Sequence, residues 1–284
     1  MTKKSLVKSF FSIILRLIKF IMDKLFVLLS LIAKFIYSIL LFIIRNVKKD
    51  IQNKKIESKK PVVNASYKKF EVLKTLNGSF DEFEKHLLES KSTIGLILGS
   101  RGSGKSALGM RILENIYVRE QKAVFAMGFL EESLPKWIKN ANEIGDVKNG
   151  SFVLIDEGGI LFSSRGSMTN ANKILSEFIL VARHKDLSVL FISQNSANLE
   201  VNAIRQADYL LLRKSSLLQK DFERKKIKEV YSEAETSFNE FTVSDNKITY
   251  VYSDMFRGYI KNSLPGFWNE KTSKSFKNLN NTGL

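Results

Sequence analysis

Gly99-Ser100-Arg101-Gly102-Ser103-Gly104-Lys105-Ser106 is a run that tolerates few surroundings. Its glycines let the backbone curl so that successive N–H groups point into one concavity, and such a loop needs a strand to deliver it and a helix to receive it. Both are legible in the flanks. Thr93 to Leu98 is a short, β-prone apolar run, and from Lys105 onward apolar residues recur at Leu108, Ile112, Leu113 and Ile116 with helical spacing. The chain is therefore expected to bind a nucleoside triphosphate. The loop N–H groups and the helix dipole would surround the β-phosphate. Lys105 would reach the β- and γ-oxygens, and Ser106 would ligate Mg²⁺.

Binding alone does not imply hydrolysis, which needs a second set of groups. Ser151-Phe152-Val153-Leu154-Ile155-Asp156-Glu157 is an apolar strand ending in two carboxylates. Alternation along a strand sends neighbouring side chains in different directions. Asp156 would thus serve the metal, and Glu157 would orient or deprotonate the attacking water. A third apolar run, Ser188 to Ser193, ends at Gln194. In a parallel sheet ligands gather at the carboxyl ends of strands, so Gln194 would lie beside the same γ-phosphate.

The phosphate-binding loop, Asp156-Glu157, Arg183-His184 and Gln194, in that order over roughly residues 91 to 215, resemble the FtsK/HerA-like division of P-loop motors. That division includes DNA-pumping ATPases, viral genome-packaging ATPases and the zonula-occludens-toxin-like assembly ATPases of filamentous phages. The resemblance implies ATP and Mg²⁺ as cofactors, a ring-shaped homo-oligomer, DNA as a partner, and coat or portal-type proteins as further partners. Ring ATPases commonly complete each site with an arginine from the neighbouring subunit. Arg165, Arg183 and Arg205 are the candidates, with Arg183 and Arg205 favoured by the resemblance. The phage assembly enzymes usually carry their membrane segment after the ATPase domain. In this chain the hydrophobic stretch comes first, which favours the DNA-translocating branch over coat-protein assembly or export.

Composition narrows the rest. There is no cysteine, which excludes disulfide and thiolate-metal chemistry, and the two histidines, His86 and His184, are too few for a histidine-rich metal site. The net charge of +16 invites a nucleic-acid reading of the whole surface. Its distribution weakens that reading: residues 1 to 60 carry 14 Lys and Arg against 3 acidic residues, whereas the remainder carries 31 against 26. Most of the excess therefore flanks the hydrophobic N-terminus, where basic residues attract anionic lipid.

Leu25 to Ile44 contains 15 Leu, Ile, Phe or Val residues and a single charge, Lys34. At about −0.3 to −0.6 kcal/mol each, these outweigh one central lysine at about +2.5 to +3.5 kcal/mol. Residues 6 to 22 carry Lys8, Arg16 and Lys19 and read as amphipathic. With no glycine or proline before Pro61, one helix from about Ser5 to Lys49 is expected. At 100° per residue Ser5, Lys8, Ser12, Arg16, Lys19, Asp23, Ser30, Lys34, Ser38 and Arg45 fall on one stripe. That pattern fits a membrane-surface helix with snorkelling lysines or a spanning helix whose seam faces partner helices. A cleaved signal peptide fits less well, because no small-residue cleavage site follows. Either helix would leave the ATPase on the cytoplasmic side of a membrane.

The expected architecture is α/β, a mostly parallel sheet with helices on both faces behind a long N-terminal helix. Its expected divisions are the membrane-associated or transmembrane helix (1–49), a linker and lead-in helix (50–90), the ATPase core (91–236), and a C-terminal strand with a basic tail (237–284). Within the core, helices are expected at Glu131 to Asn140 and at Lys220 to Ser237.

Overall fold

The computed structural model describes residues 3–156, 168–199, 201–238, 240–241 and 247–269. Glu157, Arg165 and the basic tail beyond residue 269 lie outside the described residues. The chain divides into two units, residues 1–58 and 59–284.

The first unit is formed by α1, Lys3–Lys59, a helix of 57 residues. It runs past the expected end at Lys49 because nothing interrupts it before Pro61, and the residue preceding a proline is biased out of the helical region. At 1.5 Å per residue it is roughly 85 Å long. Phe26, Phe35, Phe42 and Ile51 are exposed along it. Among the described residues no helix is long and apolar enough to cross a membrane, so the spanning alternative gains no support. Ser30, Lys34 and Ser38 return a polar group to one side of the helix at each turn of its most apolar stretch.

The second unit is built on a nine-stranded sheet. Its strands are β1 (Glu71–Gly78), β2 (Ile94–Leu98), β3 (Val124–Met127), β4 (Ile138–Asn140), β5 (Phe152–Asp156), β6 (Ser188–Ser193), β7 (Tyr209–Leu212), β8 (Ile248–Ser253) and β9 (Phe256–Lys261). The order is β1-β9-β8-β7-β2-β6-β5-β3-β4. From β7 to β4 neighbouring strands are parallel, and β8, β9 and β1 extend the sheet antiparallel. β2, β5 and β6 are buried along their whole length, as continuous apolar runs in a covered parallel sheet should be.

Alternation along these strands builds two cores. Leu96, Val153, Ile155 and Phe191 face α4 (Met168–Ala182) and α7 (Lys225–Phe238). Ile97, Leu154, Leu190 and Ile192 face α2 (Phe80–Glu89) and α3 (Lys105–Glu120). Gly109 lets α3 approach closely, since a Cβ there would stand 2.6 Å from a methyl of Leu154. Two short helices complete the unit, α5 (Val201–Arg205) and α6 (Leu217–Asp221).

Several elements differ from expectation. Residues 131–140 form a single 3₁₀ turn, Glu131–Ser133, followed by β4; Pro135 lacks the N–H that a continuing helix needs. The helix expected at Lys220 to Ser237 is broken into α6 and α7, because Glu223 turns inward and accepts a hydrogen bond from Ser196 N at 2.8 Å. Residues 50–90 divide among the end of α1, an extended stretch, β1 and α2. Ser79 caps α2 as its spacing to Glu82 implies, accepting from Glu82 N at 3.4 Å.

Candidate nucleotide site

β2 lies between β6 and β7, and the loop 99–104 leaves its carboxyl end. Gly99 (φ +154°) admits no side chain, since a Cβ there would stand 2.5 Å from Arg213 Cβ. Gly104 (φ +86°) is the left-handed N-cap of α3 and has no side chain to satisfy the first-turn N–H groups. Those donors, at the positive end of a helix of 16 residues, form an anion site. The loop is pinned from behind: Ser100 donates to Lys214 O through its N–H at 3.3 Å and through Oγ at 3.0 Å.

Lys105 is buried, and its Nζ donates to Gly99 O at 2.8 Å and Ser100 O at 2.9 Å. Both are carbonyls of the loop itself, bonds that phosphate oxygens can replace. Ser106 Oγ donates to Asp156 Oδ2 at 2.8 Å, although the two residues are 50 positions apart. This pair of hard oxygen ligands suits Mg²⁺, which takes one or two protein oxygens and completes its shell with phosphate and water. Among the described residues no group of three or more His, Cys, Asp or Glu is arranged to hold a metal by itself.

Gln194 follows the last residue of β6 at this same edge, exposed, with its carbonyl accepting from Gln219 Nε2. The structure thus brings Gly99 to Ser106, Asp156 and Gln194 to one edge of the sheet. Glu157, directly after Asp156, lies outside the described residues.

Arg183 and Arg205 are at the opposite edge. Arg183 lies in the turn between α4 and the amino end of β6, where Lys185 O accepts from Gly150 N at 2.9 Å just before β5. Arg205 ends α5, three residues before Asp208, whose carboxylate accepts from Ile94 N at 2.7 Å at the start of β2. Both are exposed. A five-residue strand separates the two edges by about 16 Å, so neither arginine reaches the nucleotide loop of its own chain.

Arg213 went unnoticed in the sequence. It is buried at the carboxyl end of β7, donates to Ile248 O at 3.1 Å and Asn262 Oδ1 at 2.6 Å, and reaches Gly104 O at 3.4 Å. It ties the antiparallel flank to the loop. Its one sequence signal was position, a cation directly after an apolar strand that ends at the ligand edge.

This arrangement is the nucleotide site and fold of a P-loop NTPase. No protein-family model matches the chain, and no curated protein sequence does. Among solved structures it is similar to the genome packaging NTPase B204 from Sulfolobus turreted icosahedral virus 2 in complex with ATP-gammaS, at 15% identity and a TM-score of 0.42 over 61% of this chain and 99% of that one. It is similar also to the pCW3 conjugation coupling protein TcpA with ATPgS, at 11% identity and a TM-score of 0.44 over 78% and 74%. A third is Thermomonospora curvata EccC (ATPases 2 and 3), at 12% identity and a TM-score of 0.39 over 61% and 37%.

Proposed function

We propose that this protein is an oligomeric, membrane-associated ATPase that couples ATP hydrolysis to DNA translocation, as in packaging, conjugation or extrusion. The observation that carries the reading is the Ser106–Asp156 contact beside Lys105, because it joins the phosphate loop to the strand end where hydrolytic groups belong. Magnesium, held by Ser106 with Asp156, would neutralise charge on the β- and γ-oxygens. Lys105 exchanges its loop carbonyls for phosphate oxygens, Glu157 orients or deprotonates the attacking water, and Gln194 senses the γ-phosphate. The order of loop, acidic pair, Arg183 and Gln194 supports a DNA motor through its likeness to that class.

The positions of Arg183 and Arg205 at the edge opposite their own loop support a role in a neighbour's site, and hence a ring. The exposed apolar residues of α1 and the basic excess of residues 1–60 support its attachment along a membrane surface, with the ATPase unit on the cytoplasmic side. A second reading, ATP-driven coat-protein assembly or export, shares the nucleotide site. It is favoured by the exposed phenylalanines of α1, which could pack against other membrane-bound helices.

ATP turnover by the full-length protein in detergent, with and without DNA at low salt, tests the first reading. DNA should stimulate turnover, and the effect should shrink as salt rises because phosphate contacts release counterions. Turnover indifferent to DNA but raised by lipid or a coat protein would favour the second. Mixing Lys105→Ala subunits with Arg183→Ala or Arg205→Ala subunits should restore activity that neither parent has. Lack of restoration with both arginine variants would exclude a shared site built on them.

A further inference from the structure

We infer that the turn between α6 and α7 is a contact surface for single-stranded DNA that reports to Gln194. The inference rests on the DNA reading above and adds to it where the polymer touches and in what form. β7 ends at the same edge as the phosphate loop, so the chain that follows it begins beside the nucleotide; Lys214 O accepts from Ser100 N. Beyond lie α6 and then Phe222, which is 71% exposed.

Phe222 is not on a loose loop. Its own N–H donates to Gln219 O at 3.1 Å. Glu223 beside it is buried and accepts from both Ser196 N and Ser196 Oγ. Arg224 donates to Ser196 O at 3.0 Å and to Leu199 O at 2.5 Å. Two anchored neighbours therefore hold an aromatic face out in water. An aromatic ring so presented among cations suits an unpaired base, because every base has a face to stack and every nucleotide a phosphate to neutralise.

The charge agrees. Lys214 to Glu229 contains six Lys or Arg against Asp221, Glu223 and Glu229; Glu223 points inward, Arg224 is held on backbone carbonyls and Lys220 pairs with Glu235. Lys214, Lys225 and Lys226 are exposed. Asp221 and Glu229 pair with Lys228 and Lys226 at 3.3 Å, as exposed ion pairs that phosphate can displace. A duplex keeps its base faces stacked, so this ring matches a single strand better.

The same turn holds the loop after β6. Gln219 Nε2 donates to Gln194 O and to Glu223 Oε1, while Glu223 Oε2 accepts from Ser196. A strand drawn onto Phe222 therefore acts on Glu223, which holds Gln219 and Ser196, and through Gln219 on the Gln194 carbonyl. Glu223→Gln would place an amide N–H₂ against that of Gln219, two donors facing each other, and break this link while keeping an acceptor for Ser196.

The test uses full-length protein in detergent with a fluorescent 30-nucleotide single strand and a 30-base-pair duplex, and with ATPγS affinity as the control for folding. Phe222→Ala and the double variant Lys225→Ala/Lys226→Ala should each weaken single-strand binding about 5-fold or more, with ATPγS affinity held within two-fold. Glu223→Gln should keep both affinities and lose the stimulation of ATP turnover by DNA. Wild-type single-strand affinity in Phe222→Ala, or a protein that binds only the duplex, overturns the contact surface while the DNA reading stands. Stimulation that survives Glu223→Gln overturns the link to Gln194. A wild-type protein that binds neither DNA at low salt overturns the DNA reading and the surface with it.

Discussion

The first turn of α3 and its middle handle polar groups in opposite ways. At its first turn, Lys105 and Ser106 bond to loop carbonyls and to Asp156, partners that phosphate and metal can take over. Farther along, Arg111 and Glu114 form a 2.8 Å ion pair with side chains 2% and 0% exposed. Arg111 also donates to Ser66 O at 3.1 Å and to Leu264 O, and Glu114 accepts from Ser66 N at 2.9 Å and Gly266 N at 3.3 Å. Asn115 completes the clamp, exchanging two hydrogen bonds with the backbone of Lys68. Burial pushes the Arg111 guanidinium below its ordinary value, and the Glu114 carboxylate draws it back up. The first turn is exchangeable and the middle fixed. A helix that changes partners at its tip needs its shaft held, and here the shaft holds the stretches before β1 and after β9 as well.

Removing one member of the fixed middle should have the largest effect. Glu114→Ala leaves the buried Arg111 unpaired and two backbone N–H groups unsatisfied, and should cost about 3–5 kcal/mol of stability. Thermal unfolding measures it, and a loss below 1 kcal/mol would show that the clamp is solvated and the contrast mistaken.

The exchangeable first turn should behave otherwise. Ser106→Ala removes the proposed metal ligand and the part-buried hydrogen bond to Asp156, so Mg²⁺-dependent nucleotide affinity should fall about tenfold, 1.4 kcal/mol, with the melting temperature little changed. Affinity that is independent of Mg²⁺ in the wild type would remove Ser106 from the metal site. The smallest effect sits away from both: Ser79→Ala deletes the cap of α2 and should cost about 1 kcal/mol with no change in nucleotide affinity. A change in that affinity would mean that α2 takes part in positioning α3.

The exchangeable turn was legible in the sequence, and the fixed middle was not. Glycines, lysine, serine and strand-end carboxylates announce phosphate chemistry through local spacing, and β2, β5 and β6 stand out because a covered parallel strand is apolar throughout. Nothing local distinguishes Arg111 and Glu114 from an exposed i, i+3 pair, because their partners lie about 45 residues upstream and 150 residues downstream. Long-range pairing also hid β9 and its antiparallel match with β1, since Phe256–Lys261 and Glu71–Gly78 mix charged with apolar residues. The break at Phe222 was invisible because it depends on Ser196 as the acceptor's distant partner. Arg183 and Arg205 were named by residue type and by the resemblance, whereas which edge they occupy depends on strand direction.

If this edge of the sheet hydrolyses ATP with separate groups for holding phosphate and activating water, Lys105 and Glu157 must fail in different ways. Single-turnover ATP hydrolysis alongside equilibrium ATP binding, measured on wild type, Lys105→Ala and Glu157→Gln, tests it most directly. Lys105→Ala should lose nucleotide binding, whereas Glu157→Gln should bind ATP as wild type does and turn it over at least about 10²-fold more slowly. Glu157→Gln turning over ATP at more than about a tenth of the wild-type rate, against that expected loss, or Lys105→Ala binding ATP normally, would mean that these two residues do not divide the work in this way.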